Sequence, residues 1–448
     1  MKRALLLLLA SLAGITTHTV AQVLYPGKSP GKAQVSASAN SIVLENDALK
    51  LRFSFSANQL RITGFTDKVS GDHLAVNSPL FELTLPGSKT LTSDVFVLKT
   101  KPKEVNDPGK QSKAYEAQLE NTASGISVLW KAVLVDSANY IRQTITFSTK
   151  NPVKITGIQL IDLPVNGVEQ AGSVDGSPLV WKNMFFAIEH PMSQITKDKN
   201  SIRMLLPRLE PLTSNRPVTI SSVAGVSPLG QLRRAFLYYT ERERARPYHQ
   251  MLHYNSWYDL SWGDRKLDEK GCLDRIKMFG DSLIVKRKTP LKAFLFDDGW
   301  DDNKTLWQFN SGFPQGFTKV KDAARNYNAG IGVWISPWGG YDTAKEQRLE
   351  FGKKQNPPYE TNENGFSLSG PVYNKRFKNV TNSFISDYDI SMFKFDGVGA
   401  GNGASGASLS YQKDIESFLD LITGMRSLKP ELYFSLTVGT WPSVYWLN

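Results

Sequence analysis

The sequence predicts two β-rich architectures in series. An antiparallel β-sandwich covers residues 33–239, and a parallel β/α barrel follows over residues 248–448, with about five strand–helix units present. Three observations carry this. The first half reads as short alternating strands punctuated by turn residues. The second half alternates short, mainly apolar runs with amphipathic helical stretches, the grammar of parallel strands covered by helices. Those apolar runs also stop abruptly at carboxylates, a lysine and tryptophans, as the strands of a β/α barrel do at their functional face.

Taken in order, the chain opens with Lys2 and Arg3, an apolar run from Ala4 to Ile15, and Thr19-Val-Ala21 before Gln22. A charged start, an apolar stretch too short to span a bilayer and a small-residue cleavage site predict a secretory signal peptide over residues 1–21. No cysteine follows the apolar run, so no lipid or other membrane anchor is expected, and the protein is expected to be secreted, to the periplasm or the medium.

The sandwich begins with Ser41-Ile-Val-Leu-Glu-Asn-Asp-Ala-Leu-Lys-Leu-Arg-Phe-Ser-Phe55, two alternating runs around an Asn-Asp turn. Leu60–Phe65 and the segment from Val128 to Phe147 alternate in the same way. Turn clusters recur at Asp67–Gly71, Asn106–Gly109 and Lys197–Asn200. Near Thr240 the grammar changes, and the charged stretch to Pro247 reads as a connector. Barrel strands are expected at about 252–257, 291–297, 330–336, 392–396 and 432–438. Between them, Leu273, Ile276, Phe279 and Leu283 share one helical face. Thr318 is placed to cap a helix carrying Val320, Ala323, Ala324 and Tyr327. Ile415, Phe418, Leu419, Ile422 and Met425 make a third such face.

Composition excludes several functions. The 448 residues are 41% hydrophobic and 21% charged, the balance of an ordinary globular protein, and the net charge of +11 is scattered among acidic residues, so nucleic acid is not an expected partner. Cys272 is the only cysteine, so no intrachain disulfide can form. The five histidines lack metal-ligand spacing. In Asp297-Asp-Gly-Trp-Asp-Asp302 the acidic residues lack the spaced ligands and closing Glu of a calcium loop. No metal or cofactor is expected.

The chemistry is concentrated at the strand ends. Asn255-Ser-Trp257, Asp297-Asp-Gly-Trp300, Trp334 to Trp338 and Lys394-Phe-Asp396 close four of the apolar runs. Strand alternation sends Lys394 and Asp396 to one face, with Phe395 opposite. A lysine beside an aspartate can bind a sugar hydroxyl while keeping the carboxylate ionised, as a nucleophile requires; a structural ion pair is the plainer alternative. Tryptophans supply the flat apolar platforms on which sugars stack.

These words, with Phe313-Pro-Gln-Gly316, Gly330-Ile-Gly-Val-Trp334 and Thr440-Trp-Pro442, resemble in kind and order the melibiase group of retaining glycoside hydrolases, the α-galactosidases and α-N-acetylgalactosaminidases of families 27 and 36. The resemblance runs from about Tyr254 onward, and more weakly likens the first half to the β-supersandwich that precedes a (β/α)8-type TIM barrel. It implies an oligosaccharide or glycoconjugate substrate and Asp396 as the nucleophile that forms a glycosyl-enzyme. It implies Lys394 on ring hydroxyls, Asp297 and Asp298 on the 4- and 6-hydroxyls, and Trp257 and Trp334 as walls. The loop holding Thr440, Trp441 and Ser443 would read the 2-substituent, and its small residues suit an N-acetyl group.

One departure matters. Retaining hydrolysis needs a second carboxyl roughly 5–5.5 Å from the nucleophile as general acid and base. The family takes it from the sixth strand, and no residue here matches it. The sequence is therefore expected to be a partial chain, truncated within the barrel and inactive as given. The alternative is a non-catalytic carbohydrate-binding protein on the same fold.

Overall fold

The computed structural model describes residues 23–56, 58–107, 109–198, 201–398 and 407–447. The expected signal peptide lies outside the described residues, as does most of the Gly-rich stretch after Val398.

The first half forms three antiparallel sheets of six, nine and five strands. The Asn-Asp turn is real: strands Ser41–Glu45 and Leu49–Ser56 pair with Leu44 opposite Leu51. Asn46 fixes that turn, because its Oδ1 accepts from the amides of Ala48 and Leu49 and its Nδ2 donates to the Ala138 carbonyl. The Asp67 carboxylate closes the next turn by accepting from the amides of Val69 and Ser70. Long strands Ser112–Asn121, Ile126–Val135 and Tyr140–Thr149 then run in continuous register. Their inward residues share one core with the other sheets that includes Trp130, whose indole N–H donates to Gln143.

Of the stretch expected as a connector, Thr240–Glu243 are helical, and Arg244–Pro247 carry neither helix nor strand. Residues Leu232–Glu243 are one helix, with Ala235, Tyr238, Tyr239 and Thr240 buried. Its charges have partners on the sandwich: Glu243 accepts from Tyr140 and Arg142, and Tyr239 donates to Glu189. A polar sequence can be helical when its neighbours satisfy it, and periodicity alone does not show that.

The second half contains one parallel sheet with β1 (His253–Asn255), β2 (Ala293–Phe296), β3 (Gly330–Ile335), β4 (Met392–Phe395) and β5 (Tyr433–Leu436), side by side in chain order. All four pairings are parallel. Each strand falls within its expected range, and together they make a half-barrel. Four helices cover its convex face, α1 (Glu269–Phe279), α2 (Thr318–Arg325), α4 (Pro371–Tyr388) and α5 (Gln412–Leu428); α3 (Asp342–Lys353), between β3 and α4 in the chain, packs against the short strand Gly365–Phe366. Thr318 is the first residue of α2 rather than its cap; Phe317 holds the cap position without a side-chain bond. Asp268 caps α1 by accepting from the Gly271 amide. Helices α3 and α4 were not among those expected from the sequence.

The period of two sorts the strand residues. Phe294, Phe296, Val333, Phe393 and Phe395 pack outward against the helices. Ala293, Leu295 and Met392 form a separate inner cluster. Gly332 lets that cluster close, since a Cβ there would meet Leu295 and Met392 at 3.1 Å. Continuing the same alternation past the inner cluster brings Asp297, Trp334, Lys394 and Asp396 to the concave side. On the far edge, β5 pairs among the described residues only with β4, and Phe434 and Leu436 line a cleft of about 770 Å³ with Phe418, Arg426 and Trp446.

Candidate active site

The concave face gathers four of the expected residues. Trp334 and Lys394 are opposite one another in the β3–β4 register, and Asp396 follows β4 directly. The lysine does not pair with Asp396. Its Nζ sits 2.8 Å from Asp297 Oδ2, and Asp297 is 1% exposed. Asp297 is fixed from behind as well, since its backbone N–H donates to Ser256 Oγ and its Oδ1 accepts from the Asp298 amide. Burial raises the Asp297 pKa and the Lys394 charge opposes that rise. Both readings of the Lys-x-Asp word therefore meet here: Lys394 is in a partly buried ion pair, and that pair lies on the concave face.

Asp396 is held instead by neutral donors. Trp334 Nε1 donates to Oδ2 at 3.0 Å and the Tyr341 hydroxyl donates to Oδ1 at 2.7 Å. Trp334 is 1% exposed, so it meets the carboxylate with its N–H and offers no open wall. Trp257 does flank the group: the Lys394 ammonium lies 5.8 Å from its ring centroid and the Arg265 guanidinium 5.7 Å. Gly397 is required beside Asp396. Its φ is +89°, and a Cβ would fall 2.0 Å from the Trp338 indole.

Asp298 belongs to a second network. Arg348, fully buried, donates to Asp298 Oδ1 at 3.2 Å, to both oxygens of Asp301 at 2.7 and 2.9 Å, and to Asn303 Oδ1 and the Gly339 carbonyl. Trp307 and Trp334 flank its guanidinium at 4.6 and 5.6 Å. Burial pushes Asp298 up to about 6, against the pull of Arg348. Asp297 and Asp298, adjacent in sequence, thus answer to different cations.

Three expected residues lie elsewhere. Trp441 is 3% exposed and donates its indole N–H to the carbonyls of Asp175 and Pro191, on the sandwich. Ser443 accepts from the Tyr445 amide and abuts Gly176. Thr440 bonds the Thr437 carbonyl. The Trp441–Ser443 segment docks onto the first half because a buried indole N–H needs an acceptor, and the sandwich loops supply two. Trp441 and Ser443 therefore face the sandwich rather than the concave site.

Three contributors carry no motif: Tyr341, Arg348 and Arg265. Tyr341 and Arg348 come from the start and middle of α3, and Arg265 lies 3.8 Å from Asp298. The Gly339-Gly340 pair, at φ +105° and +92°, is the one sequence signal for the sharp turn that delivers Tyr341.

No family model and no curated protein matches the sequence. Solved structures do resemble it. The GH36 α-galactosidase AgaB from Geobacillus stearothermophilus aligns with TM-score 0.61 and 13% identity, over 90% of this chain and 72% of that one. The galactosidase domain of the α-galactosidase–sucrose kinase AgaSK aligns with TM-score 0.64 and 11% identity, over 92% and 74%. A variant of the GH36 α-galactosidase AgaA from G. stearothermophilus, in complex with stachyose, aligns with TM-score 0.59 and 14% identity, over 93% and 74%. At these identities the likeness to these α-galactosidases is one of fold.

Proposed function

We propose that the chain belongs to a secreted retaining exo-α-glycosidase that removes terminal α-galactosyl or α-N-acetylgalactosaminyl residues from oligosaccharides or glycoconjugates through a glycosyl-aspartate at Asp396. The observation that carries this reading is the pairing of one oriented carboxylate with one neutralised carboxylate on the same concave face. Asp396 has both oxygens held by neutral donors, and Asp297 is matched by Lys394. The first suits attack at an anomeric carbon and the second suits gripping hydroxyls. The fold shared with α-galactosidases supports it, and the stachyose bound to AgaA favours an oligosaccharide partner.

The proposal includes the signal peptide over residues 1–21, the sandwich over 33–239 and the partial barrel over 248–448 as the units of this chain. It assigns the general acid and base to none of the described residues. Asp297 and Asp298 are committed to Lys394 and Arg348, so the proposal takes neither as the acid.

The test assays the full natural chain with p-nitrophenyl α-galactoside and p-nitrophenyl α-N-acetylgalactosaminide, following the released anomer by NMR. Cleavage with retention supports the proposal and the ratio ranks the two sugars. Cleavage with inversion contradicts it. Sugar binding by a folded protein that cleaves neither substrate establishes the carbohydrate-binding reading instead.

A further inference from the structure

We propose that Tyr341 is a positioning residue for the second half of the double displacement, holding Asp396 so that its carboxylate departs readily from the anomeric carbon. This rests on Asp396 as the nucleophile. The cation that the Lys394-Phe-Asp396 word offers for orienting Asp396 is spent on Asp297, at 2.8 Å. Orientation of Asp396 therefore falls to the Trp334 N–H and the Tyr341 hydroxyl, the latter at 2.7 Å from Oδ1. Tyr341 is itself built into place. It follows two glycines with left-handed backbone, occupies the cap position of α3, and sets its ring edge-on to Trp338 at 6.0 Å. Burial, and then the charge of Asp396, raise its phenol above the usual range, so it remains a donor at any working pH.

The two chemical steps use that donor in opposite senses. In the first, an Asp396 oxygen bonds to the anomeric carbon, the bond from that carbon to the leaving group breaks, and the leaving oxygen takes a proton from the acid carboxyl. The carboxylate loses charge as it becomes an ester, so a hydrogen bond to it weakens. In the second, a water oxygen bonds to the same carbon and the ester C–O bond breaks with its electron pair returning to Asp396. The water's proton passes to the same acid–base carboxyl. Charge on Asp396 now grows and the hydrogen bond strengthens. Only an interaction stronger in the transition state than in the preceding state speeds a step. Tyr341 therefore speeds departure and not attack. Trp334 also donates, but it is buried against Arg348 and Trp307, so its removal disturbs much else.

The experiment compares the full natural chain, Tyr341→Phe and 3-fluorotyrosine at position 341, using α-galactosyl fluoride, whose leaving group needs no proton. A hydrogen bond to a charged group is worth roughly tenfold to a hundredfold in rate. In Tyr341→Phe, kcat is expected to fall by about that factor and KM with it, leaving kcat/KM within about threefold and producing a fluoride burst. The fluorotyrosine protein keeps its hydroxyl and should hold kcat within about threefold of the natural chain. Loss of kcat and kcat/KM together, with KM unchanged and no burst, overturns the proposal. The natural chain is also treated with 5-fluoro-α-galactosyl fluoride and peptide-mapped. Label on Asp396 without the kinetic split retires the role of Tyr341 alone. No label on Asp396 overturns the nucleophile assignment and this inference with it.

Discussion

Arg348→Met tests how the site is held together. Arg348 is fully buried and donates five hydrogen bonds, to Asp298, Asn303, the Gly339 carbonyl and twice to Asp301. Methionine keeps much of the stem and removes the charge. Asp298 and Asp301, 3% and 5% exposed, are then left without their guanidinium. Removing one partner of a buried ion pair costs about 3–5 kcal/mol, mainly because the other charge stays buried. The deficit depends on pH. Asp298 has a folded pKa raised to about 6, so the stability tied to its protonation is fully present below its unfolded value, near 3.9, and is lost as pH rises through about 6. Without Arg348 the folded value climbs further, extending that loss to higher pH. The deficit should therefore be larger at pH 7.5 than at pH 5. Urea unfolding followed by tryptophan emission reads this directly, since Trp307 and Trp334 flank the guanidinium. A deficit under about 1 kcal/mol at pH 7.5, or a larger one at pH 5, would refute the reasoning.

Two further predictions follow from the same contacts. Lys394→Met should lower the urea midpoint by an amount equivalent to about 3–5 kcal/mol, and adding Asp297→Asn should recover most of it, because the second change removes the stranded charge; no recovery would mean that the pair is not what stabilises this face. Trp441→Ala should cost about 3–5 kcal/mol through the cavity it opens against the sandwich, while leaving the ratio of galactoside to N-acetylgalactosaminide turnover unchanged. A changed ratio would return the loop to the sugar.

The half-barrel was legible because its central strands β2, β3 and β4 are short runs buried on both faces, and such runs announce themselves without periodicity. The hairpin around Asn46 was legible for a different reason, since its turn chemistry is local. Partnership was not. The spacing of Lys394 and Asp396 puts both on one face, yet the carboxylate the lysine reaches belongs to Asp297, a neighbour in space 97 residues away. Helix α3 escaped because its buried stripe is Ala344, Arg348 and Gly352, with helical spacing but little hydrophobicity. Trp441 misled in the other direction: a tryptophan near the end of β5 resembles a sugar platform until its indole N–H is seen to be satisfied by the sandwich.

The central claim is that Asp396 attacks the anomeric carbon. The most direct measurement replaces it with glycine in the full natural chain and supplies sodium azide with an activated aryl α-galactoside. The account predicts that turnover is lost without azide and returns with it, giving β-galactosyl azide, because the small anion attacks from the face the carboxylate has vacated. Undiminished hydrolysis by Asp396→Gly without azide, or an azide product of α configuration, would contradict it.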